Sequence, residues 1–401
     1  MRLSSVQIFQ QGIASIMSQQ AKLDHTQQQL ASGKKVLSPA DDPVAAVQVL
    51  NITEDLKAID QYQRNSNMAE AQLALEDATL DRVGNVLQRV RELVVQANNA
   101  SQGPDTRRGI AAEIAARMDE LQSLANTTDA NGEYIFAGFQ ARTEPFAKQG
   151  GSVIYMGDDG QRYLQVGSSS QVAVRDSGAD VFERVPSGNG VFAVAAGAGN
   201  SGTAVAGQTS SDGAFVRDNY SISFSQASPG DPVTYQVVDS SAGVVASGNY
   251  EAGEVIAFAG ASVRFDGVPA DGDSFSVTPS VNKGVFSMIE GIVNDLNGFG
   301  GAPADVAQLN TSMGQALNDL DQALENVLQV RAEVGVRQQQ VETQLNINES
   351  FNLQLEESLS GIQDLDYAEA ISRFNLELTA LQAAQQAYAK MQGMSLFNYI
   401  Q

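Results

Sequence analysis

The chain has no cysteine, no tryptophan and one histidine in 401 residues. Without cysteine there is no disulfide, no thiolate nucleophile and no Cys-ligated metal. His25 stands between Asp24 and Thr26 with no second histidine to complete a metal site or a Ser-His triad, so it reads as a solvated helix residue. Basic residues are scarce: 24 Lys and Arg stand against 47 Asp and Glu, a net charge of -23. Nucleic acids and anionic membranes both demand clustered Lys and Arg, so neither is an expected partner. No run approaches the ~18 apolar residues that span a bilayer, and membrane insertion is not expected. The opening stretch MRLSSVQIFQQGIASIMSQQ spaces its apolar residues helically and interrupts them with Gln and Ser. It lacks the apolar core and cleavage site of a signal peptide, so any export would use a route without a cleaved signal.

What is present is hydrophobic content of 43%, enough for packed cores, at a length that suggests roughly two to three domains. The two ends of the chain mirror each other in helical heptads. Ile16, Leu23 and Leu30 repeat at spacing seven in a helix expected from Ser4 to Ser32, with Ile13, Gln20 and Gln27 beside them. Half of that seam is polar, a poor isolated coiled coil. Gly33 stands where a C-cap glycine belongs. Asp42-Pro43 reads as an N-cap followed by a first-turn proline, and opens a helix expected over 44–99. Ile52, Ile59, Ser66, Leu73, Leu80, Leu87 and Val94 form one heptad row of that helix. Tyr62, Ala69, Glu76, Val83, Val90 and Ala97 form another. A third helix carries Ile110, Ile114, Met118, Leu121 and Ala125, and Asn131-Gly132 is a tight-turn pair before a strand expected at Tyr134-Ile135-Phe136.

From about Pro145 to Asn282 the period changes from seven to two, with Gly, Ser and Asp between short runs. Residues 152–156 and 162–166 read as a hairpin, and 220–224, 233–238, 244–246 and 275–277 as further strands. Ala193 to Gly213 reads as a flexible loop. Helices return after Lys283. Phe286 to Leu296 is one piece. Met313, Leu320, Val327, Val334, Val341, Asn348 and Leu355 repeat at spacing seven in the next, the expected partner of 44–99. The last segment, 362–391, carries Tyr367, Phe374, Leu381 and Tyr388 at the same spacing, with Ile371 and Leu378 beside them. The expected fold is mainly α with an inserted β domain: a rod of long antiparallel, coiled-coil helices from both termini plus an outer all-β domain. The division predicted is 1–40 with 360–401 as a terminal helical assembly domain, 41–145 with 283–359 as a helical rod, and 146–282 as the β insert.

Candidate chemistry is thin. Asp41-Asp42 are explained by capping the next helix. Asp129-Ala130-Asn131-Gly132 lacks the remaining ligands of a calcium loop and reads as a turn. The Gly-rich run 197–202 lacks the Lys-Ser/Thr of a phosphate loop. No catalytic, cofactor-binding or metal-ligating residues are predicted, and no cofactor. The terminal stripes are short, interrupted by Gln or rich in Ala, and helices of that kind fold against partners. The assembly residues predicted from them are Ile13, Ile16, Leu23, Leu30, Ile371, Phe374, Leu378, Leu381, Tyr388 and Met391.

Several segments resemble a known family. Leu30-Ala31-Ser32-Gly33-Lys34-Lys35 and Ser38-Pro39-Ala40-Asp41-Asp42-Pro43 resemble the N-terminal signature shared by flagellins and flagellar hook-associated proteins. The run from Asn126 to Phe139, with Thr143-Glu144-Pro145-Phe146, is similar to the third hook-associated proteins, the hook–filament junction family. Gly267 to Phe275 and the ending Ala387 to Tyr399 fit the same family. The resemblance implies a non-enzymatic structural adaptor, extracellular in the bacterial flagellum and exported unfolded through the flagellar type III channel. It implies a ring of like subunits between hook-associated protein 1 and flagellin, with an export chaperone as a further partner. Filament flagellin is the alternative within the family. A secreted carboxylate hydrolase carried on a flagellin-like rod, using pairs such as Asp271 and Asp273, is an alternative of another class. A coiled-coil adhesin is a third.

Overall fold

The computed structural model describes residues 5–228 and 230–393, in two compact units: Met1–Arg64 with Gln344–Gln401, and Asn65–Thr343. Ser4 and the motif residues from Met394 onward lie outside the described residues, as does the side chain of Met391. Six α-helices are α1 (Ser5–Ser32), α2 (Pro43–Ala97), α3 (Pro104–Ala125), α4 (Val285–Gly298), α5 (Pro303–Gln363) and α6 (Tyr367–Gly393). The helix ends follow local chemistry. Gly33 takes φ +70 and its N–H reaches the Gln29 carbonyl, closing α1 in a conformation that glycine adopts without strain. Asp42 Oδ1 accepts the N–H groups of Val44 and Ala45 at the start of α2, and Asp366 does the same for Ala368 and Glu369 of α6.

In the first unit α1 and α6 run antiparallel and pack along each other. The loops at one end are joined through backbone bonds, Lys35 N–H to Gln363 O at 2.7 Å and Leu365 N–H to Gly33 O at 3.0 Å. Near the other end, Phe9 and Tyr388 meet edge to face at 6.1 Å. A heptad register between those two points sets Ile16 level with Leu381, and Leu23 level with Phe374. The terminal stripes thus find cover within one chain. Each poor seam supplies what the other lacks.

In the second unit Ala69, Leu73, Leu80, Val83, Leu87 and Val90 of α2 are fully buried. At roughly 1.5–3 kcal/mol for each large side chain, these heptad rows contribute substantially to the unit's stability. Arg331 of α5 pairs with Asp77 at 3.0 Å and Asp81 at 2.8 Å, and Arg91 pairs with Asp321 at 2.6 Å. The two helices are therefore antiparallel here. Helices α3 and α4 pack together. Of the expected strand at Tyr134–Phe136, only Tyr134 pairs, in a single antiparallel bridge with Thr128; the chain then turns, with Ile135, Phe136 and Ala137 buried. Apolar content there signalled burial, not extension.

Among the described residues, fourteen short strands punctuate 146–283. The first four are β1 (Phe146–Gln149), β2 (Ser152–Tyr155), β3 (Tyr163–Gln165) and β4 (Gln171–Ala173). They form two separate hairpins, β1 with β2 and β3 with β4, so the expected pairing of 152–156 with 162–166 does not occur. Gly150 and Gly151, both at positive φ, make the turn that returns β2 onto β1. After a π-helical turn, Ala179–Glu183, come β5 (Val185–Pro186), β6 (Phe192–Ala196), β7 (Val205–Ser211), β8 (Tyr220–Ser225) and β9 (Thr234–Val238). They continue as β10 (Val244–Asn249), β11 (Val255–Phe258), β12 (Ala261–Asp266), β13 (Ser274–Pro279) and β14 (Asn282–Lys283). Two antiparallel sheets, in the orders β10-β9-β8-β13-β6 and β11-β12-β7, enclose a core that includes Phe192, Phe224, Val263, Phe265 and Phe275. The expected flexible loop over 193–213 holds β6 and β7. Ala, Gly and Ser give those strands little intrinsic preference, and sheet pairing decides them.

The hairpins belong to a different core. Phe146 of β1 meets Phe286 of α4 at 5.1 Å and Phe182 at 5.2 Å, and Phe136 meets Phe182 edge-on at 5.5 Å. The two-sheet part is held to α5 by three side chains at every fourth position. The N–H groups of Ala206, Val194 and Gly188 donate to Thr311 Oγ1, Gln315 Oε1 and Asp319 Oδ1 at 3.2, 3.1 and 2.6 Å.

Candidate assembly surface

The terminal unit exposes apolar side chains that a finished core would cover. On α6, Leu381 is buried, Phe374 and Tyr388 are half-buried, and Ile371 and Leu378 are exposed at 50% and 36%. Leu376, on roughly the opposite side of that helix from the seam, is 70% exposed. On α1, Ile16, Leu23 and Leu30 are half-buried, whereas Ile13 is exposed. The residues predicted for assembly thus divide. One group lines the α1–α6 seam inside the chain, and Ile13, Ile371 and Leu378 face outward.

Further outward residues carried no heptad signal strong enough to single them out. Val44, Val47 and Leu50 share one face at the start of α2, and Phe351 and Leu353 lie on α5 within the same unit, all more than half exposed. Their spacing of three residues was visible in the sequence. Apolar faces of this extent mark interaction surfaces.

Polar groups in this unit serve local geometry. Asp41 accepts the Leu37 and Ser38 N–H groups and lies 3.0 Å from His25 Nε2. The backbone bond to Ser38 first, then the contacts with His25 and Leu37, hold its carboxyl below the usual range against the opposing effect of desolvation. His25 is thus the loop's tether to α1, in the Asp41 contact that its sequence position did not reveal. Asp129 Oδ1 accepts the Asn131 and Glu133 N–H groups in an Asx turn, and its other oxygen pairs with Arg175 at 2.6 Å. Asp273 is buried and receives the N–H groups of Ser201, Gly202 and Ala270, the work of a turn. Among the described residues, no cluster of His, Asp or Glu is arranged to hold a metal, and no helix is long and apolar enough to cross a membrane.

Helical regions at both ends are also what related proteins show. Residues 4–141 match the bacterial flagellin N-terminal helical region, and 317–400 the C-terminal helical region. The crystal structure of FlgL from Xanthomonas campestris is similar with TM-score 0.72 and 34% identity, covering 77% of this chain and 99% of that one. Flagellar hook-associated protein 3 of Escherichia coli (strain K12) is 26% identical over 397 residues, 99% of each chain. The chain belongs to the flagellar hook-associated protein 3 (FlgL) family. The flagellar junction protein FlgL from Legionella pneumophila is a further solved relative, at 33% identity and TM-score 0.72 over 79% of this chain and 100% of that one. Membership makes this FlgL-family chain a structural adaptor of the bacterial flagellum, acting at the junction of hook and filament in contact with other flagellar components. Filament flagellin is the less favoured reading.

Proposed function

We propose that this chain forms a ring of like subunits, with hook-associated protein 1 on one side and the first flagellin subunits on the other. The observation that carries the proposal is the exposed apolar surface of the terminal unit, above all Ile371, Leu376 and Leu378 on α6 and Val44, Val47 and Leu50 on α2. Covering such residues between subunits gives about 25 cal/mol for each Å² removed from water, the main driving force of stable association. Residues 1–40 and 360–401 supply that assembly domain, joined by the opening turns of α2 that carry Val44, Val47 and Leu50; the rest of 41–145 and 283–359 is the helical rod, and 146–282 is the insert. Ile13, Ile371 and Leu378 are its direct contacts. Ile16, Leu23, Leu30, Phe374, Leu381 and Tyr388 act by holding α1 to α6, and Met391 belongs with the assembly residues.

The chain works without catalysis. Asp271 accepts the Gln226 N–H and Asp273 those of Ser201, Gly202 and Ala270, turn work that favours the structural reading over a carboxylate hydrolase. It is exported through the flagellar channel, escorted by an export chaperone and without a cleaved signal, and it acts outside the cell. Electron microscopy of a strain deleted for this chain tests the reading. Hooks without filaments, with flagellin released into the medium and filaments restored by the full chain, are expected. Normal filaments in the deletion strain would overturn it.

A further inference from the structure

From Ala69 onward the second heptad row of α2 is Ala69, Glu76, Val83, Val90 and Ala97, and all five are buried. A carboxylic acid in a row otherwise of Ala and Val is out of place unless its charge is cancelled or absent. Glu76 is 1% exposed. Its Oε1 accepts the N–H of Asp176 at 2.9 Å, and among the described residues its Oε2 has no hydrogen-bond partner.

The cations near it are committed elsewhere. Arg337 of α5 pairs with Asp176 at 2.8 Å and with Glu333 at 3.3 Å. Arg175, beside Asp176 in the loop after β4, pairs with Asp129 at 2.6 Å and Glu133 at 3.3 Å in the loop after α3. Asp176 also accepts Gln161 Nε2 at 2.7 Å. Arg162 also pairs with Glu133, at 3.1 Å, so three guanidinium groups share four carboxylates before Glu76 is counted.

We propose that Glu76 is a proton-held latch in the unit Asn65–Thr343. The neutral carboxyl joins α2 to the loop carrying Arg175 and Asp176. Loss of its proton places a second negative charge against Asp176 and loosens that loop, together with the Arg337 contact from α5. The helical unit is then held more firmly in acid than in mildly alkaline medium. Burial first, and the Asp176 charge second, raise the Glu76 carboxyl from an ordinary 4.5 to about 8, against the Asp176 N–H and the two guanidiniums. The folded chain therefore keeps a proton that the unfolded chain gives up near 4.5. The resulting stability is whole below that pH and is lost as pH rises through about 8.

The test uses the full purified chain. Melting temperatures of the wild type and Glu76→Gln are compared from about pH 5 to about pH 9. The Gln side chain keeps the Asp176 contact and cannot ionise. The variant should gain on the wild type by roughly 5 °C or more between these limits. A gap that does not change with pH would overturn the latch. Carbon-13 spectra of glutamate-labelled wild type give a reading that needs no variant. One side-chain carboxyl titrating near pH 8 supports the proposal, and all of them titrating in the ordinary range sinks it.

Discussion

Leu381→Asp and Ile371→Asp change two residues of one helix and should differ sharply in their effect on the free chain. Leu381 is 9% exposed in the α1–α6 seam, so nearly all of its side chain is removed from water. Burying a Leu contributes about 1.5–3 kcal/mol, and forcing a carboxylate into that place adds a desolvation cost, for a total of about 3–5 kcal/mol against the paired helices. Ile371 is 50% exposed. It has about half of its burial to lose in the free chain, roughly 1 kcal/mol, and a carboxylate there stays in water. In an assembled ring the same side chain becomes a charge in an apolar contact, at about 2–4 kcal/mol or more. Hydrogen exchange of the free chain, read by mass spectrometry over 5–32 and 367–393, separates the two. Leu381→Asp should speed exchange there about a hundredfold, whereas Ile371→Asp should change it by a factor of about five or less. Both should abolish filament growth when they replace the wild type in cells. Equal exchange in the two variants, or normal filaments with Ile371→Asp, would refute the division between seam and surface.

Arg107 is fully buried, donates to the Ala97 and Asn99 carbonyls at the end of α2, and lies 4.1 Å above the Phe299 ring. Arg107→Ala leaves those carbonyls short of a donor and removes the stack. It should cost about 3–5 kcal/mol in urea denaturation, with Arg107→Lys in between. Gly138 has φ +67, and an added Cβ would collide with the Asp158 carbonyl and carboxylate. Gly138→Ala should lower stability by more than about 2 kcal/mol, measured as a shifted melt, and a loss below about 0.5 kcal/mol would show that the Asp158 loop yields freely.

Long-period information read well from the sequence. The rows through Leu73, Leu80 and Leu87 and through Leu320, Val327 and Val334 foretold two long helices, and both rows are buried. Asp42 and Gly33 marked helix ends because the cap geometry is local to a few residues. The strands at 192–196 and 205–211 escaped notice because Ala, Gly, Thr and Ser acquire extended backbone there from partners some eighty or fifty residues away, Phe275 opposite Ala196 and Val263 opposite Thr209. The assembly surface was half legible. Period seven identified Phe374, Leu381 and Ile371 alike as apolar positions of a helix. It could not say which of them the same chain already covers, because that depends on the α1–α6 register. Glu76 stood in plain view in its heptad row, but its isolation from spare cations required the loops that bring Arg175 and Asp176 to α2.

The way α5 holds the two-sheet insert has a consequence for how such a protein varies. Thr311, Gln315 and Asp319 grip main-chain N–H groups, at Ala206, Val194 and Gly188. A backbone amide is the same whichever side chain it carries, proline excepted. Lys283 Nζ, which also reaches Asp319, and Gly188, held at positive φ, are exceptions; otherwise the helix recognises a trace of the chain more than the letters written along it. Side chains on the far strands are free to drift, to change charge, or to be replaced by another sheet that offers three amides at the same stations. The mount is thus separated from what is mounted, so the surface presented to the surroundings can be rewritten while the helices that carry it are left alone.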